Sequence, residues 1–332
     1  MVATLHDVAR LAGVSFKTVS NVVNDYPHVR PSTRERVLEA IRTLDYQPNL
    51  SARSLRSGRS GVLSLALPEL RLPYFAELAD EVIRAAERRG LVVLIEQTNR
   101  DRKREVDLLS SARLRMVDGL LFSPLGLEPE DVELVRIDTP LVLLGERVFH
   151  PAVDHVTMQN VEAARAATEY LLARGRRRIA LVGYHPGEVI GSAGLRFRGY
   201  REALEGAGLA VDERLLGVAE LWHRQQGADA ATQLLDSGVH FDAVFACNDT
   251  LALGAMHALT GAGRRVPDDV AVVGFDNTDE GVYSQPALTT VDPGRRGIAE
   301  CAVDTLVQRI ADRTAPVRQT AIDFSIVQRE ST

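Results

Sequence analysis

The segment from Ser15 to Asn21 concentrates short polar side chains and one cation within two turns of a predicted helix. The ammonium group of Lys17 can donate to guanine acceptors, and the amide of Asn21 can pair with adenine. The hydroxyls of Thr18 and Ser20 can reach a phosphate oxygen. When a helix enters the major groove, the residues at its N-terminal end contact base edges. The residue types and their spacing therefore predict a surface that binds DNA.

A second set of polar and aromatic residues follows predicted strands in the rest of the chain, at positions where parallel strands end or in the loops between them. Carboxylates, amides and one arginine beside aromatic rings suit a polyhydroxylated ligand, because its hydroxyls need acceptors and its C–H faces need an apolar platform. We expect a small-molecule site at these residues: Tyr74, Phe75, Ser123, Gln159, Arg196, Trp222, Asn248 and Asp276.

Each member of this set also has a purely structural explanation. Asp276 can cap a helix, and Arg196 can pair with Glu202 on the surface. A lone tryptophan such as Trp222 is more often a core residue than a ligand platform. We favour the binding site because these residues recur at equivalent strand ends, where open α/β sheets bind their ligands.

The polar segment from Ser15 to Asn21 lies in the second of three predicted helices. The first begins at a capping box, Thr4 to Asp7, and ends at Gly13. Ser15 is a natural N-cap for the second, and a further capping box predicts a third that begins at Ser32 to Glu35. Two helices joined by a glycine-containing turn and braced by a third form a helix-turn-helix. A plain three-helix cap is the alternative, since helix count alone does not decide it.

A short basic segment, Leu50 to Gly58, separates these helices from the first predicted strand. Nine residues do not sustain an isolated helix in water, so we expect it to be marginal unless something docks on it. Leu55 lies between Arg53 and Arg56, an arrangement that can wedge between base steps from the minor groove while the cations bind phosphates. The alternative is a flexible linker.

From Gly61 onward, short apolar runs alternate with amphipathic helical stretches. The alternation predicts parallel sheets with helices on both faces, because parallel strands require crossover connections. Four buried strands are expected between Val62 and Leu144, one of them from Leu91 to Ile95, and a second set of four follows between Arg178 and Gly274. Two doubly wound sheets in tandem imply a cleft between them.

Charge is distributed unevenly along the 332 residues. Residues 1–60 carry nine basic and five acidic side chains, a net charge of +4, whereas the remainder carries −10 within a total of −6. A basic N-terminal region on an acidic body favours a polyanionic partner, although a merely solvated surface has the same composition. The longest stretch without Asp, Glu, Lys or Arg is Thr250 to Gly263, too short for a membrane helix. Because the N-terminus has no secretory signal, we expect a cytoplasmic protein.

Enzyme motifs are missing from the sequence. It has no G-x-S-x-G, G-x-G-x-x-G, G-x-x-x-x-G-K-S/T, H-E-x-x-H or C-x-x-C, and Asp268 and Asp269 beside Pro267 look like turn residues. Cys247 and Cys301 are far apart, with no partner at metal-ligand spacing. We therefore expect no catalysis, no metal site and no cofactor.

The residues as a whole resemble the LacI/GalR (lactose/galactose repressor) family of bacterial transcriptional regulators. The resemblance to the family's headpiece and hinge is carried by LHDVARLAGVSFKTVSNVVN (5–24), HVRPSTRERVLEAIRTLDYQPN (28–49) and SARSL (51–55). The resemblance to its effector domain is carried by ACNDTLALGAMHAL (246–259), VPDDVAVVGFDN (266–277), PALTTV (286–291) and REST (329–332). The family's effector domain shares its fold with periplasmic sugar-binding proteins.

The resemblance implies roles for individual residues of this sequence. Phe16, Lys17 and Asn21 match the base-reading positions. Residues that match backbone contacts are Ser15, Thr18, Ser20, Asn24 and His28. Leu55 matches the intercalating hinge leucine, with Ala52 and Arg56 as its minor-groove neighbours. Effector contacts are matched by Arg196, Trp222, Asn248, Asp276 and the aromatic residues after Pro73.

The chain departs from the family pattern at one position of the effector site. Many members carry Asp-Asn where this sequence has Gln159 and Asn160, so a hydroxyl contact is expected to differ. The sequence also ends at Thr332 without the heptad tail of tetrameric members, which favours a dimer.

The predicted fold is an all-α helix-turn-helix headpiece followed by an α/β effector domain of two doubly wound parallel-sheet subdomains. The predicted boundaries are 1–48 for the DNA-binding domain, 49–60 for the hinge and 61–332 for the effector domain, with an N-subdomain of about 61–160 and 292–320 and a C-subdomain of about 161–291 and 321–332. The predicted function is a homodimeric repressor that binds double-stranded operator DNA under the control of an effector, with a sugar as first choice. A purine or other co-repressing metabolite, or a sugar-binding protein without a regulatory role, is the alternative.

Overall fold

The protein is described here by a computed structural model that covers residues 3–23, 26–46 and 59–332. It forms two compact units, one up to Ser60 and the other Gly61–Thr332. Four residues with predicted DNA contacts lie outside the described residues: Asn24, Ala52, Leu55 and Arg56.

The N-terminal unit contains three helices: α1 (Leu5–Ala12), α2 (Phe16–Val23) and α3 (Pro31–Thr43). Their apolar faces meet in a small core in which Val8, Val19 and Val37 are fully buried. Leu11 of α1 points away from this core and is 53% exposed. The three predicted helices are present, and the first two form the expected helix-turn-helix.

The helix ends of this unit follow the capping signals, with one exception. Thr4 and Asp7 form the predicted capping box of α1, and Gly13 adopts the left-handed conformation that ends it, with φ of 62°. The predicted capping box at Ser32 is wrong, because α3 already begins at Pro31, with Arg30 at the N-cap and no side-chain cap. Proline is preorganised for the first helical position, so Ser32 lies inside the first turn.

The larger unit contains two six-stranded sheets. The chain completes most of the first sheet, then most of the second, and returns to add one more strand to each. The first sheet is entirely parallel, with strand order β11-β5-β4-β3-β1-β2. Its strands are β1 (Val62–Leu67), β2 (Val92–Gln97), β3 (Gly119–Phe122), β4 (Leu141–Leu144), β5 (Asp154–Met158) and β11 (Gln319–Ile322).

The second sheet has the order β12-β10-β9-β8-β6-β7, and only β12 is antiparallel to its neighbour. Its strands are β6 (Ile179–Tyr184), β7 (Leu216–Val218), β8 (Ala243–Ala246), β9 (Ala271–Phe275), β10 (Thr289–Asp292) and β12 (Ser325–Val327).

Helices cover both sheets and give each the doubly wound form that the alternation predicted. The α-helices are α4 (Pro73–Glu87), α5 (Arg102–Leu109), α6 (Asn160–Ala173), α7 (Ser192–Gly206), α8 (Arg224–Asp236), α9 (Asp249–Gly261), α10 (Asp279–Val282) and α11 (Arg295–Ala311). Three 3₁₀ segments accompany them: Ala112–Met116, Pro129–Val135 and Glu213–Leu215. The predicted fold class is confirmed.

The chain passes between the two sheets three times, after Met158, after Asp292 and after Ile322. Because of the last two crossings, helix α11 packs on the first sheet although it follows a strand of the second. The clefts and cavities of such an arrangement are lined by residues from both sheets.

One predicted strand differs from expectation in its burial. Residues of β2 were predicted to be buried, but Val92, Leu94 and Ile95 are 57%, 54% and 41% exposed. The reason is topological, since β2 is an edge strand of the first sheet and lacks a neighbour on one side.

Helices α8 and α9 pack closely because a glycine lies at their contact. A Cβ atom at Gly254 would lie 2.0 Å from the carbonyl oxygen of Arg224. At Gly261, the last residue of the same helix, no atom of the described part of the chain lies within 4 Å of such a Cβ. The close approach therefore depends on the missing side chain at residue 254.

Both cysteines are free thiols. Burial raises the pKa of the Cys247 thiol to about 12, so this thiol stays protonated. Within the described ranges, no helix is long and apolar enough to cross a bilayer.

Candidate functional site

The second helix of the N-terminal unit presents its polar N-terminal turn to solvent. The Ser15 hydroxyl accepts a hydrogen bond from the backbone N–H of Thr18 at 3.1 Å and shares another with the Thr18 hydroxyl at 2.8 Å. This cap leaves Lys17 exposed, while Asn21 is half-buried further along the helix. Phe16 stacks on His6 with ring centroids 4.8 Å apart, which fixes the start of the helix.

The turn after α2 carries a second exposed group. His28 is exposed and makes an edge contact with Tyr26, with centroids 5.4 Å apart. The backbone of Tyr26 is held from both sides, because its N–H donates to the Asn21 carbonyl and its own carbonyl accepts from Arg34, both at 2.8 Å. His28 and Lys17 are thus displayed by segments with defined backbone hydrogen bonds.

The larger unit contains a cavity of about 230 Å³ between the ends of the two sheets. Seven of the eight residues predicted for the small-molecule site line it: Tyr74, Phe75, Ser123, Arg196, Trp222, Asn248 and Asp276. A cavity of this size with aromatic walls and several convergent polar groups has the character of a small-molecule site.

Gln159 is the exception, and its predicted place in the cavity has to be corrected. It precedes helix α6 at the first crossing between the sheets, and its side-chain amide donates to the Asp323 carboxylate at 2.9 Å. Asp323 lies at the third crossing, between β11 and β12. The side chain therefore links two crossing segments and does not line the cavity.

Arg196 is the buried cation of the cavity, with 2% of its surface exposed. Its guanidinium donates to the Asn160 side chain at 2.8 Å, to the Cys247 carbonyl and to the Met158 sulfur at 3.3 Å. It also lies over the Phe275 ring, 3.5 Å from the centroid. The alternative pairing with Glu202 does not occur, since Glu202 bonds Arg198. No carboxylate of the described chain forms an ion pair with Arg196, so its charge is available to a ligand.

Two carboxyl groups face the same space. Asp276 is 5% exposed, and burial raises its pKa well above the ordinary value, with Arg196 opposing the shift. Burial also raises the pKa of Glu146, again against the charge of Arg196. Glu146 accepts from the Met158 N–H at 3.4 Å and from the Ser192 hydroxyl at 3.2 Å, whereas no donor among residues 59–332 reaches the Asp276 carboxylate.

Trp222 and Asn248 form an adjoining wall. Asn248 caps helix α9 by accepting from the Leu251 N–H at 2.7 Å, and its amide donates to the Trp222 carbonyl at 3.1 Å. The indole N–H of Trp222 is buried, and no acceptor among the described residues reaches it. An indole N–H in such a place is a donor that a bound ligand can satisfy.

The opposite wall comes from the first sheet and helix α4. Tyr74 and Phe75 open this helix and make an edge contact, with ring centroids 5.2 Å apart. Burial raises the pKa of the Tyr74 phenol well above its usual value, so the hydroxyl stays neutral. Ser123, 6% exposed, follows β3 and completes this wall.

Sequence reasoning missed a histidine and a glutamate in the loop after β6. His185 and Glu188 line the cavity and hydrogen-bond to each other at 2.8 Å. Their positions after a buried strand, beside Pro186 and Gly187, would have placed them at a sheet edge by the same rule that found the other residues.

Glu105 is a third residue that sequence reasoning missed, and it holds part of the cavity wall without lining the cavity itself. Glu105 is fully buried, and its carboxylate accepts hydrogen bonds from the backbone N–H groups of Leu125, Gly126 and Leu127 at 2.8–3.0 Å, and from the Thr98 hydroxyl at 3.2 Å. Because Leu125 lines the cavity, this carboxylate fixes part of its wall. Its partners lie up to 22 residues away, so no local pattern marks it.

Metal binding has no support in the described residues, where no three His, Cys, Asp or Glu side chains are grouped to hold an ion. The chemistry that the cavity offers is hydrogen bonding and stacking, from the Arg196 guanidinium, the carboxyl groups of Asp276, Glu146 and Glu188, an indole N–H with no acceptor among the described residues, and aromatic faces. Together with a helix-turn-helix, such a cavity defines a DNA-binding regulator controlled by a small molecule.

Comparison with known proteins gives the same class. Residues 4–49 match the family described as "Bacterial regulatory proteins, lacI family", and residues 168–332 match "Periplasmic binding protein-like domain". The HTH-type transcriptional regulator DegA of Bacillus subtilis (strain 168) is 33% identical over 88% of this chain and 86% of its own length.

Solved structures agree. A putative transcriptional regulator of the LacI family from Sanguibacter keddieii DSM 10542 is 54% identical, with a TM-score of 0.77 over 82% of this chain and 98% of that chain. The lac repressor dimer bound to operator and the anti-inducer ONPF is 29% identical, with a TM-score of 0.86 over 100% of this chain and 99% of that chain. The chain belongs to the LacI family of bacterial regulatory proteins, and it is a transcriptional regulator.

Proposed function

We propose that this chain is a homodimeric repressor whose affinity for operator DNA is controlled by a sugar or sugar derivative bound between the two sheets. The observation that carries the choice of ligand is the Asp276 carboxyl group, which is 5% exposed and receives no hydrogen bond from residues 59–332. A buried carboxylate without donors is unfavourable, and a ligand rich in hydroxyls supplies them.

The surroundings of Asp276 support the same choice. Arg196 can donate to ring or hydroxyl oxygens, and the unpartnered indole N–H of Trp222 needs an acceptor. Sugar hydroxyls both donate and accept, so one ligand can serve all three groups. The rings of Tyr74 and Phe75 offer the apolar face that sugar C–H groups require. The same rings also suit a purine, which remains the alternative ligand.

A thermal-shift screen tests the ligand class. The full chain is heated with monosaccharides, disaccharides, sugar acids, nucleobases and nucleosides at millimolar concentration. A ligand at 100 times its Kd adds about 2.7 kcal/mol to the free energy of unfolding, which raises Tm by several degrees. We expect a saccharide hit that Asp276→Asn weakens. A hit among the nucleobases and none among the saccharides would overturn the choice.

On the DNA side, we propose that Phe16, Lys17 and Asn21 contact bases in the major groove, while Ser15, Thr18, Ser20, Asn24 and His28 contact the backbone. The exposed position of Lys17 supports this role. We further propose from the sequence that Leu55 enters a base step, flanked by Ala52 and Arg56. Leu55→Ala should then weaken binding to a selected operator more than to random DNA, because the phosphate contacts survive. Equal losses of affinity for the operator and for random DNA would refute the insertion of Leu55 into a base step.

The homodimer is supported by the exposed apolar row on edge strand β2. Val92, Leu94 and Ile95 lie on a strand with unpaired backbone groups on one side, a surface that proteins normally cover. A second copy of the chain is the proposed cover. Light scattering should show that Leu94→Glu becomes monomeric, while Leu134→Glu, at another exposed leucine, remains a dimer. A dimeric Leu94→Glu would exclude this edge from the interface.

A further inference from the structure

The two nitrogens of the His185 ring both face oxygen atoms that accept hydrogen bonds. Nδ1 lies 2.8 Å from a carboxylate oxygen of Glu188, and Nε2 lies 2.7 Å from the carbonyl oxygen of Ala219. A carbonyl oxygen cannot donate a hydrogen bond, and an ionised carboxylate cannot either. A neutral imidazole has one N–H, so it would leave one nitrogen lone pair pointing at an oxygen lone pair.

Glu188 is held as a hydrogen-bond acceptor by its neighbours. Burial works against its ionised form, but the hydrogen bond and charge of His185, the N–H of Gly194 and the charge of Arg147 together hold the pKa of this carboxyl below its usual range. Its other oxygen accepts from the N–H groups of Ala193 and Gly194 at 3.2 and 3.4 Å, at the start of helix α7. Glu188 is therefore an acceptor on both oxygens.

We propose that His185 is an imidazolium in the folded protein and that it is the positioning residue for Trp222 in the effector cavity. The inference deepens the proposed function, since it concerns the same cavity. The doubly protonated ring ties the loop after β6 to Ala219, which directly follows β7 and precedes Trp222 by three residues. The two rings are in contact, with centroids 5.7 Å apart and planes inclined at 50°.

The charged groups around His185 come from both sheets. Glu188 lies on its own loop, and Arg196 lies on helix α7. Arg147 and Glu146 face the cavity from the first sheet, together with Arg100, whose guanidinium donates to the Glu220 carbonyl at 3.5 Å. Asp276 faces it from the end of β9. Of these groups, Glu188 alone is hydrogen-bonded to the ring, so the imidazolium is held by direct contact.

The consequence is a cavity wall that depends on pH. When His185 loses its second proton, one of its two hydrogen bonds is lost, and the Glu188–His185–Ala219 connection opens at one side. Trp222 is then no longer held by both loops. We expect ligand binding against Trp222 to weaken as the pH rises through this transition.

The chain has a single tryptophan, so its intrinsic fluorescence reports on Trp222 alone. A protonated imidazole in contact with an indole quenches its emission. Emission of the full chain is measured from about pH 5 to 8, the range in which histidine changes charge. Three variants accompany the wild type: His185→Gln, Glu188→Gln and His223→Gln, the last as a control at the histidine that follows Trp222 in the chain. No DNA or effector is used, so the result is independent of whether the proposed repressor function holds.

We expect quenched emission in the wild type at pH 6, brighter emission in His185→Gln, and wild-type behaviour in His223→Gln. Glu188→Gln should lose the quenching at a lower pH than the wild type, because one charge-assisted hydrogen bond to the ring is lost. Equal brightness of wild type and His185→Gln at pH 6 would overturn the proposal. Loss of the pH response in His223→Gln with its retention in His185→Gln would do the same.

If His185→Gln does not fold, the ¹⁵N spectrum of histidine-labelled wild type decides. An imidazolium gives two protonated ring nitrogens, while a neutral ring gives one protonated and one unprotonated nitrogen. Among the eight histidines, the signal of His185 is the one that changes in Glu188→Gln. Two protonated nitrogens at pH 6 support the proposal, and a single neutral tautomer refutes it.

Discussion

Replacement of Glu105 by glutamine tests how strongly one buried carboxylate fixes the cavity wall. Each carboxylate oxygen of Glu105 accepts two hydrogen bonds: one oxygen from the Leu125 N–H and the Thr98 hydroxyl, the other from the N–H groups of Gly126 and Leu127. In Glu105→Gln one oxygen becomes an NH₂ group of the same size. That group is a donor, so it leaves the Leu125 N–H without an acceptor in one orientation of the amide, or the Gly126 and Leu127 N–H groups in the other. The Thr98 hydroxyl can accept from the NH₂ group, because a hydroxyl is both a donor and an acceptor.

The magnitude follows from the number of groups left unsatisfied. A buried polar group that loses its partner costs about 1–3 kcal/mol, and the remaining hydrogen bonds weaken because their acceptor no longer carries a charge, so we expect a destabilisation of about 3 kcal/mol. For a unit of this size, each kcal/mol lowers Tm by roughly 2–4 °C. We therefore expect Glu105→Gln to lower Tm by roughly 6–12 °C.

Urea unfolding of the full chain, followed by circular dichroism, measures the free energy difference directly. Glu87→Gln is the matched control, because Glu87 is an exposed glutamate at the end of α4. We expect this control to unfold like the wild type. If Glu105→Gln also unfolds within about 0.5 kcal/mol of the wild type, the argument that its four hydrogen bonds hold the loop is refuted.

Three further perturbations have outcomes that the structure specifies. Gly254→Ala should destabilise the protein by about 1–3 kcal/mol in urea unfolding, because its Cβ would meet the Arg224 carbonyl, whereas Gly261→Ala should be neutral or slightly stabilising. Lys17→Ala should weaken binding to a selected operator by about 1–3 kcal/mol in an anisotropy titration, while Lys103→Ala, at the other lysine, should not. Burial raises the pKa of Asp249 from 3.8 to about 6, so wild type should gain stability relative to Asp249→Asn as the pH falls from 6 to 4.

Each of these predictions can be contradicted by a specific result. Equal stability of the two glycine variants would mean that α8 and α9 can separate without cost. Unchanged operator affinity in Lys17→Ala would exclude it from base recognition. For Asp249, the sign is the test: its ionised form is disfavoured in the folded state, so a loss of wild-type stability relative to Asp249→Asn on acidification would show that the carboxyl is stabilised as an anion.

The regular part of the fold could be predicted because its signals are local. Apolar runs such as β3 and β4, with four buried residues each, are distinct from the amphipathic helices between them. The strand Asp154–Met158 was missed because it begins with Asp154 and His155, both buried and both polar. Asp154 pairs with Arg309, 155 residues away, and His155 contacts the Gly145 carbonyl. No window of sequence contains such partners.

Strand ends could locate part of the cavity lining from the sequence, whereas residues positioned by loops were harder to locate. Seven of the eight predicted residues line the cavity, and three of them, Ser123, Asn248 and Asp276, do so because parallel strands bring their carboxyl ends together. Gln159 failed because its neighbourhood is set by a crossing segment near residue 323. Glu105 and the His185–Glu188 pair escaped prediction because their roles depend on hydrogen bonds to backbone groups of other loops.

The central claim is that the cavity and the DNA-binding unit are linked, and an operator titration tests it most directly. An operator duplex is first selected from random DNA by the full chain, and its Kd is measured by anisotropy with and without the saccharide found in the thermal-shift screen. Linkage predicts a change in Kd of about 5–150-fold, with the same factor in saccharide affinity when operator is present, and loss of the effect in Asp276→Asn. A higher Kd with saccharide identifies an inducer and a lower one a co-repressor. An operator Kd that does not change at saturating saccharide would contradict the account.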